Sequence, residues 1–381
     1  MPTIAPLLNT LADLVRINSV NPYYENGPGE GAVGAYVRQY FEAHGIEVSE
    51  QNVLPGRNNI IARLPGRNSR RRIVLEAHMD TVSVKGMTIP AFEPIIADGK
   101  LYGRGAVDDK AGLVAMMAAL AAIKESGQLP PCEVLLAAVV DEEHTFRGVA
   151  KLCEDLRADA AIVAEPTELR AVIASKGTLR WRMVVRGRAA HSAKPHLGIN
   201  AINHMARILL ELEKDHVALA ARSHPLLGPA TCNVGVISGG TQINFVPDQC
   251  VIEIDRRILP SETVPGVLSH YQGILDALEQ NHSGFRAVME PPMLVDEPLE
   301  TPASSSVVRV AGDVLSEMGL DGAPGGVPFC SDASKLSRAG IPTIIFGPGS
   351  IDRAHGPVEY VEIDQVEQAA TFHHHMLMSF A

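Results

Sequence analysis

Residues 71–80 read RRIVLEAHMD and combine a short apolar run with polar side chains at its end. The aliphatic run at residues 72–77 predicts a buried strand. His78 and Asp80 follow it directly, so both lie where that strand ends. Because ligands of open α/β sheets bind beyond the carboxyl ends of the strands, this stretch predicts one part of a functional site.

The pattern of strands and helices continues on both sides of this stretch. Further strands are predicted at residues 59–64, 133–140, 158–164 and 342–346, and helices at residues 31–45, 109–126 and 301–318. Gly127 is expected to end the helix that precedes it, since glycine readily adopts the left-handed conformation of a helix terminus. Apolar strands between helices predict a mixed, mostly parallel α/β sheet with helices on both faces.

The middle of the chain predicts a different unit. Strands are predicted at residues 178–186, 231–238, 249–257 and 285–290, and helices at residues 198–214 and 264–280. This βαββαβ order is typical of a ferredoxin-like α+β unit. We therefore predict a discontinuous domain, residues 1–172 and 293–381, with an inserted domain at residues 173–292.

The composition excludes several classes of partner. The chain has 381 residues and a net charge of −11, which argues against nucleic acid or an anionic membrane as a partner. Its N-terminus lacks the basic start and apolar core of a signal peptide, and the apolar stretch at residues 113–123 is too short to span a bilayer. Five scattered cysteines predict no disulfide framework. A cytoplasmic protein is expected.

Acidic and imidazole side chains also follow the other predicted strands or begin a helix. They are Asp108 before the helix at 109–126, Glu142 and Glu143 after one strand, Glu165 after another, and His355 in a late loop. Taken singly, Asp108 is typical of a helix cap, the glutamates of a solvated loop, and His355 of the surface. Gathered at one sheet edge, however, the carboxylates would repel each other unless a metal ion lay among them.

The residue types indicate which metal. Imidazole and carboxylate ligands without a thiolate suit zinc or a similar first-row ion in a catalytic site. Asp80 is placed to accept the second ring N–H of His78, as partners of metal-bound histidines do. The adjacent His373, His374 and His375 point in different directions on a helix, so they are not expected to converge on one ion.

These segments resemble the dizinc peptidases, a family that includes acetylornithine deacetylase, succinyl-diaminopimelate desuccinylase, aminoacylase and glutamate carboxypeptidase. The resemblance is carried, in order along nearly the whole chain, by HMDT at 78–81, GRGAVDDKAG at 103–112, DEE at 141–143, EPT at 165–167 and AH at 354–355. It implies a zinc-peptidase-like catalytic domain and an inserted domain that mediates dimerisation.

The resemblance also implies a role for each side chain. Two Zn²⁺ ions, for which Co²⁺ or Mn²⁺ are substitutes, would share Asp108. The remaining implied ligands are His78 and Glu165 for one ion, and Glu143 and His355 for the other. Glu142 would bind no metal and would act as the general base and acid, and the Asp108–Asp109 peptide bond would be cis.

The inserted domain carries matching segments, RAAHSAKP at 188–195, GGTQINFVP at 239–247 and IDRR at 254–257. By this resemblance His191 stabilises the oxyanion in the partner subunit of a homodimer, while Asn244 and Arg257 bind the substrate carboxylate. Without the resemblance, His191 is typical of an exposed strand end. Arg256 lies on the other face of its strand and is expected to be exposed or paired.

The function implied is hydrolysis of the amide bond in a small N-acyl amino acid, with Glu142 as the base. A dinuclear zinc amino- or carboxypeptidase acting on short peptides is the alternative. A catalytically silent relative used for binding or scaffolding is a third interpretation. It would be expected to lack the base or a ligand, and all of these residues are present.

Overall fold

The computed structural model describes residues 4–381. The first three residues of the N-terminus, the segment compared above with a signal peptide, lie outside this range. The helices are α1 (Ile4–Arg16), α2 (Gly31–Ala43), α3 (Lys110–Ser126), α4 (Arg147–Cys153), α5 (Ala201–Leu219), α6 (Val264–Asn281), α7 (Ser306–Glu317), α8 (Ala333–Arg338) and α9 (Ile363–Ser379). Short 3-10 turns cover Pro195–Leu197 and Ile351–Arg353.

The strands alternate with these helices along the chain. They are β1 (Glu47–Leu54), β2 (Arg57–Leu64), β3 (Asn68–His78), β4 (Ile95–Ala97), β5 (Lys100–Tyr102), β6 (Cys132–Val139), β7 (Ala160–Val163), β8 (Val172–Ser175), β9 (Gly177–Arg186), β10 (Ala190–His191), β11 (Ser223–His224), β12 (Gly228–Pro229), β13 (Thr231–Gly239), β14 (Phe245–Val246), β15 (Gln249–Ile258), β16 (Ala287–Met289), β17 (Leu294–Asp296), β18 (Leu299–Glu300), β19 (Gly325–Val327), β20 (Thr343–Ile345) and β21 (Tyr360–Glu362).

The chain forms two units. The first runs to Ile173 and includes Thr301–Gly325 and Ser331–Ala381, and the second comprises Ala174–Glu300 and Gly326–Cys330. The return to the first unit comes later than residue 293, the position that the sequence predicts. The reason is that β17 pairs with β9 before the chain leaves the second unit.

The first unit is built on a mixed sheet in the order β1-β2-β6-β3-β7-β20-β8. The central strands β6, β3, β7 and β20 run parallel to one another, and the flanking pairings are antiparallel. Every residue of β6 is buried, as expected of a strand covered on both faces. The predicted fold class, a mixed and mostly parallel α/β sheet, is confirmed.

Helix α3 shows how the apolar period directs packing. The apolar side chains that recur at helical spacing in its sequence are all buried; they are Leu113, Met116, Met117, Leu120 and Ile123. The helix ends where expected, because Gly127 adopts a left-handed φ of 70° and donates its N–H to the carbonyl of Lys124. The start of this helix lies directly after Asp109, so it fixes the end of the loop that carries Asp108.

The second unit is an antiparallel sheet in the order β13-β15-β9-β16, with α5 and α6 supplying residues to its core. Chain order gives the arrangement 2-3-1-4 for these strands, which is that of a ferredoxin-like βαββαβ unit. Along β15 buried and partly buried residues alternate, and Trp181 packs against Tyr271 with ring centroids 5.0 Å apart. One face of the sheet therefore forms this core.

Two predicted helix starts are wrong by several residues. The helix predicted from residue 198 begins at Ala201, because Asn200 caps it by accepting the N–H of Asn203. The helix predicted from residue 301 begins at Ser306, because Thr301 instead donates its N–H to the carbonyl of Ile173. Among the residues described, no helix combines the length and apolar character needed to cross a bilayer.

Candidate active site

The parallel strands of the first unit bring the predicted residues to one sheet edge. His78 is the last residue of β3, and Glu142 and Glu165 lie just beyond the ends of β6 and β7. Since β3 runs parallel to both neighbours, these three carboxyl ends share an edge. Asp108 and His355 enter from the loops before α3 and after β20.

Asp108 lies at the centre of the cluster. The Nε2 atom of His78 is 3.0 Å from its Oδ1, and the Nε2 atom of His355 is 3.0 Å from its Oδ2. Nε2 of His355 also lies 3.1 Å from Oε1 of Glu143. The peptide bond between Asp108 and Asp109 is cis. The structure thus brings together residues that are far apart in sequence.

Two groups of side chains are compact enough to hold a metal ion. Each residue offers one nitrogen or oxygen atom, and within a group these atoms lie within 4.8 Å of one another. The groups are His78 with Glu142 and Glu165, and Asp108 with Glu143 and His355. The second group matches one predicted ligand set. The first contains Glu142, to which the family resemblance assigns the role of base, alongside two predicted ligands.

The carboxylates of this cluster are strongly perturbed. Burial raises the pKa of Glu142 and Glu165 well above the usual range, and neighbouring carboxylates add to the effect. Burial also raises the pKa of Glu143, and the charge of Asp108 raises it further. Burial acts to raise the pKa of Asp108 as well, but contacts with His355 and His78 outweigh it and lower that pKa.

The two imidazoles respond in the opposite sense. Burial acts to lower the pKa of His78, but contacts with Asp108 and Asp80 more than offset this effect and raise the pKa well above its ordinary value. In the same way, Asp108 and Glu143 overcome the effect of burial and raise the pKa of His355 to about 11. Four crowded carboxylates therefore create a strong demand for positive charge at this edge.

Divalent cations meet that demand with the donors present. Asp108, Glu142, Glu143 and Glu165 supply only oxygen and the histidines only nitrogen, a set that suits zinc or a related first-row ion. A metal ion brings two positive charges to a site where single residues bring one. The residues present thus fit the metal ions that the sequence predicts.

Asp80 contacts both His78 and the turn that follows β6. Nδ1 of His78 lies 3.0 Å from the main-chain oxygen of Asp80 but 3.7 Å from its carboxylate. The carboxylate is turned away because it accepts the backbone N–H groups of Glu142 and Glu143, each at 3.1 Å. Asp80 thus lies beside the second ring nitrogen of His78, as predicted, through its main-chain oxygen, while its carboxylate holds the turn that carries Glu142.

Several supporting residues were missed from the sequence. Glu359, fully buried, accepts the N–H of Val107 at 3.1 Å and of Asp108 at 3.3 Å, and it pairs with the buried Arg104. Asn21 is also fully buried and contacts Asp80. Asn21 and Glu359 do not follow a predicted strand, and neither belongs to an apolar repeat. Because the site residues were predicted from strand ends, nothing in the sequence pattern indicated these two.

The predicted residues of the second unit fall into two places. His191 on β10 is exposed, with Nδ1 accepting the N–H of Ala193 at 3.1 Å. Asn244 is close by, because its carbonyl accepts the N–H of Ser192 at 3.0 Å. Arg257 lies near the far end of β15, whereas Asn244 precedes the start of that strand.

Arg257 and its neighbour differ in their surroundings. Nε of Arg257 donates to Asp255 and Nη1 donates to Thr178, each at 2.8 Å. Arg256 is buried and donates to Glu262 at 2.6 Å, so of the predicted alternatives, exposed or paired, it is paired.

The sequence is similar to those of known metal-dependent hydrolases. Residues 74–379 match the model of peptidase family M20/M25/M40. Acetylornithine deacetylase of Myxococcus xanthus is 33% identical over 377 residues, covering 96% of this chain and 94% of that protein. A Staphylococcus aureus protein named probable succinyl-diaminopimelate desuccinylase is 28% identical over 396 residues, covering 94% and 93%.

Solved structures share the fold. The crystal structure of a tripeptidase from Staphylococcus aureus superposes with a TM-score of 0.83 at 24% identity, covering 99% of this chain and 98% of the other. The family match spans most of the chain, including His78, Asp108, Glu142 and His355. The chain belongs to peptidase family M20/M25/M40, a family of metal-dependent hydrolases.

Proposed function

We propose that the protein is a metal-dependent amidohydrolase that cleaves the amide bond of a small N-acyl amino acid. The observation that carries this proposal is the contact of Asp108 with both His78 and His355, beside the buried Glu142. The relative named acetylornithine deacetylase, 33% identical over 377 residues, supports the acyl-amino-acid substrate class.

The metal site that we propose holds two Zn²⁺ ions, with Co²⁺ or Mn²⁺ as substitutes. Asp108 would bind both ions. The other ligands would be His78 and Glu165 for one ion, and Glu143 and His355 for the other. When bound, such a pair of ions lowers the pKa of a water molecule and polarises the carbonyl of the scissile amide.

Glu142 is the residue that moves the proton in this proposal. Its carboxylate lies beside His78 and Glu165, and burial raises its pKa, so it holds a proton more readily than a solvated glutamate. It accepts a proton from the attacking water and delivers it to the leaving nitrogen. Asp80 supports this step, because its carboxylate accepts the N–H of Glu142 and so fixes the main chain of the base.

The second unit would bind the rest of the substrate. His191 is exposed and its Nε2 is available to donate to an oxyanion, the role that we assign to it in the partner subunit. Arg257 would bind the substrate carboxylate together with Asn244 of the partner subunit, because Asn244 lies beside His191 and not beside Arg257. The planar guanidinium of Arg257 suits that partner, since it already holds the carboxylate of Asp255.

A homodimer through the second unit is part of the proposal. In the described part of the chain, β13 pairs with β15 on one side only, and its other edge is open. Val236 and Ile237 of this strand are exposed, so the edge is apolar as well as unpaired. Sedimentation should show a dimer, and Ile237→Lys a monomer; a monomeric native protein would contradict this part.

The cysteines support a reducing cellular compartment for the protein. Cys132, Cys153, Cys232 and Cys250 are thiols outside any disulfide, and Cys132 and Cys250 are buried. Free thiols are typical of proteins in a reducing compartment. We therefore propose a cytoplasmic location.

A substrate panel tests the proposed reaction. Acetyl-, succinyl- and glutamyl-amino acids are compared with di- and tripeptides on the zinc-loaded protein, and Glu142→Ala purified in parallel controls for contaminating hydrolases. We expect kcat/KM to be highest for one acylated amino acid. Faster cleavage of peptides would favour an amino- or carboxypeptidase, and no turnover of any acylated amino acid would contradict the proposal.

A further inference from the structure

We propose that Asn21 is a positioning residue for the catalytic turn, and the assignment of Glu142 as base on which this rests is the proposed function. Asn21 lies in the loop between α1 and α2, remote in sequence from every metal-site residue. Its side chain is fully buried. It touches neither of the two ligand groups directly, so its effect passes through the carboxylates that it holds.

The side-chain amide of Asn21 joins two carboxylates from different strand ends. Nδ2 donates to Oδ2 of Asp80 at 2.7 Å and to Oδ1 of Asp141 at 3.1 Å. An amide nitrogen has two hydrogens, so both donors are used. Asp80 follows β3 and Asp141 follows β6, and the amide therefore links the loops beyond two neighbouring parallel strands.

The position of Asn21 is itself fixed from several directions. Its N–H donates to the carbonyl of Thr81 at 2.9 Å, and its Oδ1 accepts the N–H of Tyr23 at 3.0 Å. Its carbonyl accepts the N–H of Tyr24 at 2.9 Å. The amide is thus held in one orientation before it meets the carboxylates, which is what a positioning group requires.

The two carboxylates in turn hold the residues proposed for catalysis. Asp80 accepts the N–H groups of Glu142 and Glu143, and Asp141 directly precedes them. Asp141 has a φ of 70°, a left-handed conformation that is uncommon outside glycine. The chain therefore reverses sharply at the residue that Asn21 contacts, and the direction of this turn sets where Glu142 points.

Asp80 depends on Asn21 more than Asp141 does. Asp141 also pairs with Arg57 at 3.0 Å and with Arg147 at 2.7 Å, so cations balance its charge. The hydrogen bonds that the Asp80 carboxylate accepts come from Asn21 and from the N–H groups of the catalytic turn, and the imidazole of His78 lies 3.7 Å away. Without Asn21, a buried carboxylate loses its shortest hydrogen bond and is free to turn away from that turn.

The test compares Asn21→Leu, which nearly keeps the volume and removes the hydrogen bonds, with Asn21→Ser, which keeps one hydroxyl donor in a smaller, polar side chain. Asn18→Ala is the control, because Asn18 lies in the same loop and its side chain accepts the local N–H of Val20. Kinetic constants are measured on the best acylated amino acid, and zinc affinity of the metal-free protein is measured by competition with a chromophoric chelator.

For Asn21→Leu we expect kcat to fall about 10- to 100-fold, with little change in KM and zinc affinity weakened by about tenfold or more. Asn21→Ser should lie between this variant and the native protein, and Asn18→Ala should match the native protein. The zinc measurement stands even if no acylated amino acid is turned over, so it separates this proposal from the proposed reaction. A folded Asn21→Leu with native kcat and zinc affinity would overturn it, as would native values for Asn21→Ser if Asn21→Leu does not fold.

Discussion

The Nε2 atom of His355 lies 3.0 Å from Oδ2 of Asp108, on the opposite carboxylate oxygen from the one that His78 contacts. One aspartate thus stands between two imidazoles that enter from separate parts of the chain. Its main chain is held by Glu359, which accepts the N–H of Asp108. Glu359 therefore connects the loop that carries Asp108 to the segment that follows His355, and both segments contribute a side chain to the same site.

The proposed base is separable from the ligands by mutation. Glu142→Ala should lower kcat by about 10²- to 10⁴-fold, because the water loses its proton acceptor, while the zinc content stays at that of the native protein. Elemental analysis of the purified variant, alongside its kinetics, makes the measurement. An active Glu142→Ala would show that another group carries the proton.

The adjacent residue should behave differently. Glu143→Ala removes a carboxylate whose Oε1 lies 3.1 Å from Nε2 of His355, and we expect the variant to bind one zinc ion fewer than Glu142→Ala. The pair makes a matched comparison, since both variants lose one buried carboxylate from the same turn. Equal zinc contents in the two variants would contradict the assignment of Glu143 as a ligand.

The buried pair of Arg104 and Glu359 should matter for stability. Glu359→Ala leaves the Arg104 guanidinium buried without its carboxylate and leaves the N–H groups of Val107 and Asp108 without an acceptor. We expect the free energy of unfolding to fall by about 3–5 kcal/mol, measured by urea denaturation.

An exposed ion pair gives the control for that experiment. Asp13 and Arg16 pair at 2.7 Å with both side chains about half exposed, so Arg16→Ala should change the free energy of unfolding by about 1 kcal/mol or less. A loss for Glu359→Ala no larger than this would mean that the buried pair does not organise the Asp108 loop.

The proximity of the strand-end residues could be predicted from the sequence, for a physical reason. His78 and Glu165 each follow a short apolar run, and parallel strands must end at the same sheet edge, so their proximity follows from topology. The supporting residues do not obey such a rule. Asn21 and Glu359 act from loops, where neither apolar period nor strand direction constrains a side chain.

Details of orientation were also beyond the sequence. The spacing of His78 and Asp80 indicated that they are neighbours, yet the carboxylate of Asp80 turns toward the main chain of Glu142 and Glu143. The start of α7 was predicted too early because Thr301 pairs with Ile173, a contact between residues remote in sequence. Contacts of this kind depend on the folded arrangement of several segments.

His373 should make the stability of the protein sensitive to acid. It is fully buried in α9, near the rings of Phe346 and Phe372, and burial lowers its pKa from 6.5 to about 3. Above pH 6.5 the imidazole is neutral in both folded and unfolded chains, so its effect on stability is constant. Below that pH the unfolded chain binds a proton that the folded chain excludes until about pH 3, and stability falls as pH falls.

Replacing His373 isolates this effect. At pH 5 the proton bound by the unfolded chain should cost about 2 kcal/mol of unfolding free energy relative to neutral pH. His373→Leu lacks the imidazole, so its free energy of unfolding should fall less between neutral pH and pH 5. All other titratable groups contribute equally to both proteins. Urea denaturation at several pH values makes the comparison, and identical slopes for the two proteins would refute the role of His373.

Anomalous X-ray diffraction at the zinc absorption edge, from crystals of the zinc-loaded protein, tests the metal centre most directly. We expect two anomalous peaks per chain, one bonded to His78, Asp108 and Glu165, and the other bonded to Asp108, Glu143 and His355. Glu142 should contact neither ion. A single peak, no peak, or an ion bonded to Glu142 in place of Asp108 would contradict the account.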